Sequence, residues 1–154
     1  MSCVLFFDGG CRGNPGPMAI GAVLLDNGKR VGEISKNIGI GTNNIAEWKA
    51  LIEGLKLAHA YECKELEVRG DSQLIIRQIS GRYQVKSDNL IPLFNEARKL
   101  CRTFKKIDFK WVKRDENSYT DSMDLSSFLP LSCSMNIRDF VWSSGSSFQV
   151  GLST

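Results

Sequence analysis

The stretch CVLFFDGG, residues 3–10, decides the fold that we expect for this 154-residue chain. An unbroken apolar run from Cys3 to Phe7 is typical of a fully buried central strand of a sheet. Asp8 ends the run, and the glycine-rich segment 9–17 (GGCRGNPGP) follows as a turn. A carboxylate placed where a buried strand ends is the first candidate functional residue.

The segments that follow this strand predict an α/β sandwich. Residues 19–26 and 30–37 flank the turn signal Asp26-Asn27-Gly28-Lys29, so the first three strands form an antiparallel meander. Helical spacing predicts helices over 44–60, 71–80 and 89–103, with Thr42 or Asn43 capping the first. Alternating segments predict strands over 65–69 and 107–112, and a final helix is expected near Asp121.

The bulk properties indicate one compact domain over residues 1–125 and an atypical, serine-rich C-terminal tail over 126–154. No signal segment or long apolar run is visible, which argues against secretion and membrane spanning. The five scattered cysteines predict free thiols in a reducing, cytoplasmic setting. A net charge of +3 permits a nucleic-acid partner without proving one.

Glu47 stands out among the acids because a structural carboxylate does not belong at its position. Its helical neighbours at i+3, i+4 and i+7 are Ala50, Leu51 and Gly54, a face suited to packing on a sheet. A glutamate points toward a core when a cation compensates its charge. Glu53, by contrast, has lysines on its face and is an ordinary ion-pair residue. The alternative is a Glu47 at the margin of the buried face that reaches solvent.

Three further acids are ambiguous when each is taken alone. Asp8 could simply initiate a turn, and Asp71 could simply cap the second helix. Asp121 and Asp124 lie three residues apart on the expected last helix, and position does not decide between them. Together these carboxylates would repel one another without a cation, and oxygen-only ligation favours Mg²⁺ or Mn²⁺.

Four segments resemble, in order and spacing, the successive motifs of the ribonuclease H type 1 family. They are FFDGGCRGNPGPMAIGAVL (6–24), TNNIAEWKALIEGL (42–55), VRGDSQLIIRQISG (68–81) and WVKRDENSYTD (111–121). The resemblance covers roughly residues 3–122 and implies a five-stranded mixed sheet flanked by helices on both faces. It places Asp8, Glu47 and Asp71 in the family's acidic site. The segment 114–117 resembles the family's R-E-x-N, which selects Asp121 over Asp124 as the fourth acid.

The resemblance implies hydrolysis of the RNA strand of an RNA–DNA hybrid, leaving a 3′-hydroxyl and a 5′-phosphate. Two Mg²⁺ ions would activate the attacking water and stabilise the leaving 3′-oxygen, with Mn²⁺ able to substitute. Asp8 would bridge them, Glu47 and Asp71 would complete the first site, and Asp121 would hold the second. The 2′-hydroxyl groups would be read by residues around the turn and the helix starts: Gly9, Gly10, Cys11, Asn43, Asn44 and Gln73. Helix capping is the alternative role for Asn43 and Asn44. We expect a monomer with no membrane partner.

Three departures from the family are visible. The loop 113–116 lacks a histidine, so the chain resembles the histidine-less branch seen in some archaeal and bacterial members; His59 is expected at the surface. The long basic protrusion is absent, which predicts weaker hybrid affinity or reliance on Arg82, Lys86 and the Lys105/Lys106 region. The Ala-rich helix expected after the last aspartate is replaced by the tail. The competing hypotheses are another nuclease on the same fold, such as a resolvase or integrase, and a non-catalytic hybrid- or RNA-binding module.

Overall fold

The architecture is a five-stranded sheet with helices packed on it, seen in a computed structural model that describes residues 2–113. The elements are β1 (Ser2–Cys11), β2 (Gly16–Asp26), β3 (Lys29–Gly41), α1 (Asn43–Ala60), β4 (Glu65–Gly70), α2 (Gln73–Ile79), α3 (Ile91–Cys101) and β5 (Lys106–Trp111). The predicted order of elements is therefore confirmed as far as residue 113. The last helix expected near Asp121 and the tail 126–154 lie outside the described residues.

Strand β1 lies at the centre of the sheet, as its apolar sequence predicted. The strand order is β3-β2-β1-β4-β5. Strands β1, β2 and β3 pair antiparallel, whereas β4 is parallel to β1 and β5 is parallel to β4. Asn27 and Gly28 both have positive φ, which is the backbone that a two-residue hairpin turn requires. The mixed sheet implied by the sequence is thus confirmed.

The three described helices cover one face of the sheet. Side chains from α1, α2 and α3 share a single buried cluster with Leu5 and Phe7 of β1. Trp48 of α1 is fully buried in that cluster and meets Phe94 of α3 edge-on, with ring centroids 5.8 Å apart. A cluster of this kind fixes the position of α1 against β1, on which the functional site depends.

Two predicted boundaries are wrong in a way that matters for the site. Strand β1 does not end at Asp8 but continues to Cys11, because Gly9, Gly10 and Cys11 pair with Ile20, Ala19 and Met18 of β2. Helix α2 begins at Gln73, two residues later than predicted. Its N-cap is Ser72, whose Oγ accepts a hydrogen bond from the Ile75 amide at 3.3 Å. Asp71 is consequently left without the capping role.

The expectation of free thiols is wrong for one pair, because Cys3 and Cys63 form a disulfide. Cys3 lies at the start of β1, and Cys63 lies two residues before β4, the strand that runs beside β1. Their Cα atoms are 6.2 Å apart despite a sequence separation of 60, so spacing alone could not reveal the contact. Cys11 and Cys101 are free, and Cys133 lies outside the described residues. The thiol argument for a reducing setting therefore fails for this pair.

None of the helices described is both long enough and apolar enough to cross a membrane.

Candidate metal centre

Three of the four predicted carboxylates converge at one edge of the sheet. Asp8 projects from β1, Glu47 from α1, and Asp71 from the residue after β4. One ligand atom from each side chain lies within 4.8 Å of the others. Asp8 is only 2% exposed, and Glu47 and Asp71 are half-buried. The convergence makes a cation site out of residues that are far apart in sequence.

Parallel strand pairing places Asp8 beside Asp71. Phe7 of β1 is in register with Gly70 of β4, so Asp71, the first residue after β4, follows the chain at the level of Asp8, which still pairs with β2. The Phe7 ring packs over Gly70, since a Cβ on Gly70 would lie 2.5 Å from that ring. Trp111, at the end of β5, donates an indole N–H to the Asp71 carbonyl at 3.3 Å. Sequence reasoning had not singled out Trp111, although its place at the end of the neighbouring strand was the available signal.

Close packing of α1 on β1 brings Glu47 to the other two acids. A Cβ on Gly9 would overlap the Ala46 carbonyl oxygen and lie 2.9 Å from the Glu47 nitrogen, so only glycine permits this approach. The neighbours of Glu47 that were expected to face the sheet, Ala50, Leu51 and Gly54, are buried. Glu47 thus lies on the helix face that carries these buried residues, and it is itself half-buried.

Glu53 behaves as the ordinary ion-pair residue that it was taken for. Its carboxylate pairs with Lys56 at 3.6 Å and with Lys36 of β3 at 3.5 Å. The two glutamates of α1 therefore differ in their surroundings: Glu53 lies among lysines, whereas Glu47 lies next to Asp8 and Asp71.

The donor set fits a hard divalent cation. Asp71 Oδ2 is buried and accepts no hydrogen bond from the residues that the structure describes. A buried carboxylate oxygen without a donor is costly, and two further carboxylates nearby add repulsion. A cation bound among the three would remove both penalties. Since every ligand is a carboxylate oxygen, Mg²⁺ or Mn²⁺ suits the site better than zinc.

The residues expected to read the substrate surround this centre but differ in exposure. Gly9 and Gly10 are buried in β1, whereas Asn44 and Gln73 are exposed at the starts of α1 and α2. Asn43 is half-buried, and its Oδ1 accepts a hydrogen bond from the Cys11 amide at 2.9 Å. Thr42, not Asn43, caps α1 through a 3.3 Å bond from the Ile45 amide.

Asn14 joins the turn after β1 to helix α1, and sequence reasoning missed this role. Its Oδ1 accepts a hydrogen bond from the Asn43 amide at 3.1 Å. The Cys11 thiol contacts the Gly13 carbonyl at 2.6 Å and the Asn43 side chain at 3.4 Å. The turn and the start of α1 therefore form one hydrogen-bonded unit next to the carboxylates.

The fourth predicted ligand, Asp121, and its rival Asp124 lie outside the described residues, so the choice between them stays a prediction. His59 is exposed in the last turn of α1, at the opposite end of that helix from Glu47. It is the surface residue that was expected.

The chain is similar in sequence to a known family and to known proteins. The family model described as reverse transcriptase-like matches residues 6–123. The bifunctional protein Rv2228c of Mycobacterium tuberculosis is 41% identical over 125 residues, which cover 80% of this chain but 34% of that protein. Ribonuclease HI of Halobacterium salinarum is 39% identical over 119 residues, covering 77% of this chain and 60% of that protein.

A solved structure extends the likeness to three dimensions. The structure of LC11-RNase H1 in complex with an RNA/DNA hybrid matches with a TM-score of 0.71 at 37% identity, covering 75% of this chain and 88% of that chain. The chain spans about a third of the length of the first curated relatives that it matches. What it shares with them is a domain, and that domain carries the three converging carboxylates.

Proposed function

This chain belongs to the ribonuclease H family, and on that premise we propose that it is an endoribonuclease acting on RNA–DNA hybrids. The reaction is hydrolysis of a phosphodiester bond in the RNA strand, leaving a 3′-hydroxyl and a 5′-phosphate. The observation that carries the proposal is the convergence of Asp8, Glu47 and Asp71 around the buried, unpaired Oδ2 of Asp71. The hybrid bound to a structural relative supports the choice of substrate.

We propose that these carboxylates hold two Mg²⁺ ions, with Mn²⁺ as a substitute. Asp8, the most buried acid of residues 2–113, would be shared by both ions, Glu47 and Asp71 would complete one site, and Asp121 would serve the other. Bound there, the ions would lower the pKa of the attacking water and neutralise charge on the leaving 3′-oxygen. The chain itself supplies a rigid frame, because β1, α1 and β4 fix the three described acids through backbone packing.

Recognition of the RNA strand is assigned to the groups around the turn and the helix starts. Asn43 is held by Asn14 and Cys11, and within residues 2–113 its side-chain N–H₂ donates no hydrogen bond, so it is able to donate to a 2′-hydroxyl. Asn44 and Gln73 are exposed at the starts of α1 and α2 and can contact the same strand. Gly9 and Gly10 contribute through the shape of the strand end rather than through side chains.

The deciding assay is cleavage of a labelled RNA–DNA hybrid in Mg²⁺ or Mn²⁺, with duplex DNA and double-stranded RNA as comparison substrates. We expect cleavage of the hybrid alone, lost on chelation. Asp8→Asn should abolish turnover with no change in the circular dichroism spectrum, while Asp88→Asn, at an exposed loop aspartate, should retain it. Absence of metal-dependent hybrid cleavage would refute the proposal, and full activity in Asp8→Asn would refute the metal site.

The same assay separates the two competing hypotheses. A non-catalytic binding module would bind the hybrid and leave it intact, and a resolvase- or integrase-like nuclease would cut branched or duplex DNA. The described carboxylates argue against the first, since a module that only binds has no need for three acids around a buried oxygen.

We also propose a cytoplasmic place of action, because hybrids arise where nucleic acids are copied. We propose in addition that the enzyme is a monomer. The Cys3–Cys63 disulfide is relevant to this proposal, because disulfides persist mainly in oxidising compartments. Mass spectrometry of the alkylated protein from its native cell would show whether the pair is oxidised there.

A further inference from the structure

A groove with a volume of about 800 Å³ lies along β5, an edge strand of the sheet. It begins near the metal centre and extends away from it. Helices α2 and α3 form one wall, and β5 forms the other. Gln73 and Trp111 line the end nearest the carboxylates, and Trp111 is the residue bonded to the Asp71 carbonyl. The groove is therefore continuous with the candidate site.

The groove is lined mainly by arginines; Lys110 also borders it and pairs with Glu67 at 3.5 Å. Arg77, Arg82, Arg98 and Arg102 all border it, and within residues 2–113 none of the four forms an ion pair with a carboxylate. Asp108 is the one acid that residues 2–113 contribute to the lining, and its Oδ2 lies 3.9 Å from Lys106 Nζ. Four unneutralised arginines along one groove indicate an anionic occupant.

Apolar and aromatic surface accompanies the charge. Ile76 and Ile79 of α2 also line the groove, as do Ile107 and Phe109 of β5. Trp111 is 43% exposed, and Tyr83, beside the groove, is 48% exposed. The guanidinium of Arg77 donates to the Tyr83 hydroxyl at 2.7 Å and lies over its ring, which holds the ring in place. Arginines with exposed aromatic rings are the combination that binds single-stranded nucleic acid through phosphates and stacked bases.

The length of the groove matches a short stretch of a single nucleic-acid strand. The six residues of β5 span about 17 Å, which corresponds to about five stacked nucleotides. Given the proposed function, we propose that this arginine groove holds a single-stranded RNA continuation of the strand that lies in the metal centre. The enzyme then prefers hybrids whose RNA strand extends past the duplex, and the groove supplies affinity that the missing basic protrusion does not.

The test compares short hybrids that are blunt or that carry a single-stranded RNA overhang of about five nucleotides at the 3′ or the 5′ end. Binding is measured by fluorescence anisotropy in the Asp8→Asn background, which prevents cleavage. The groove variant is Arg98→Gln with Arg102→Gln, at two exposed residues far from the carboxylates. Its matched control is Lys64→Gln with Lys99→Gln, which removes the same charge outside the groove.

We expect an overhang of one polarity to tighten binding and the groove variant to lose that gain. Loss of two phosphate contacts should weaken binding of the overhang hybrid by about 25-fold at about 0.1 M salt, because each contact contributes a factor of about five. The slope of log affinity against log salt concentration should become smaller by about 1.4. Affinity for the blunt hybrid should be the same in the groove variant and the control. Arg98→Lys with Arg102→Lys should keep most of the gain.

The inference is overturned if neither overhang tightens binding, or if the control variant loses the gain as fully as the groove variant. A groove variant that melts at lower temperature and is not rescued by the lysine pair would show that the arginines serve packing instead. Cleavage of the blunt hybrid by the native enzyme is run in parallel. It tests the proposed function separately, since it does not require the groove.

Discussion

Replacing Gly9 by alanine should disable the enzyme without touching a carboxylate. The added Cβ would lie 2.5 Å from the Ala46 carbonyl carbon and 2.9 Å from the Glu47 nitrogen. Both contacts are with backbone, so no side chain can rotate away. Helix α1 must withdraw from β1 by about 1 Å before the contact becomes an ordinary van der Waals distance.

Two magnitudes follow from this displacement. Overpacking at a rigid site destabilises the fold by about 1–3 kcal/mol, which thermal unfolding would report. Withdrawal of α1 also carries Glu47 away from Asp8 and Asp71, and Mg²⁺ tolerates little change in its ligand distances. A misplacement of about 1 Å lowers turnover by about 100-fold. We therefore expect the Mg²⁺ concentration needed for half-maximal hybrid cleavage to rise as turnover falls.

Gly32→Ala is the matched control. The nearest atom to its new Cβ is Leu57 Cδ1 at 3.0 Å, the end of a flexible side chain that can move. Turnover and the metal requirement should stay at their native values in this variant. Native turnover and native Mg²⁺ dependence in Gly9→Ala would refute the reasoning that this close approach sets the position of Glu47.

Three further predictions concern stability and the fourth ligand. Burial raises the pKa of Glu33 to about 7, against the lowering effect of Arg30, so its contribution to stability is full below about pH 4.5 and is lost as the pH rises through 7. Between pH 4.5 and 8, the melting temperature of Glu33→Gln should therefore change less with pH than that of the native chain. Melting temperatures that change in parallel with pH in the two proteins would contradict this prediction. Cys3→Ser should lower the free energy of unfolding by about 4 kcal/mol in urea, because the disulfide to Cys63 closes a loop of about 60 residues. A reducing agent should lower the free energy of unfolding of the native chain by the same amount and should leave that of Cys3→Ser unchanged. If a reducing agent does not affect the stability of the native chain, the pairing is contradicted. Asp121→Asn should reduce hybrid cleavage more than Asp124→Asn, and the reverse order would identify Asp124 as the ligand.

Much of the fold could be read from the sequence because its signals are local. An apolar run such as Cys3–Phe7 has to be buried on both faces, which places β1 at the centre of the sheet. The Asn27-Gly28 pair supplies the positive φ values of a tight hairpin, and helical spacing locates α1 nearly to the residue. Glu47 was identifiable for a similar reason, since the identity of its neighbours on the helix already defines which face is buried.

Other features were decided only by residues that meet in space. Whether Asp71 caps α2 or faces Asp8 depended on Ser72 taking the cap and on the register of Phe7 with Gly70. The Cys3–Cys63 pair depended on β4 running beside β1.

Hydrophobic periodicity and turn chemistry act over a few residues, so the sequence alone determined the set of elements and the candidate acids Asp8, Glu47 and Asp71. The tertiary structure decided which acids converge, which oxygen is left without a donor, and which arginines line one groove. Those properties are distances between segments far apart in the chain, and they are set by strand register and by how closely α1 packs on β1.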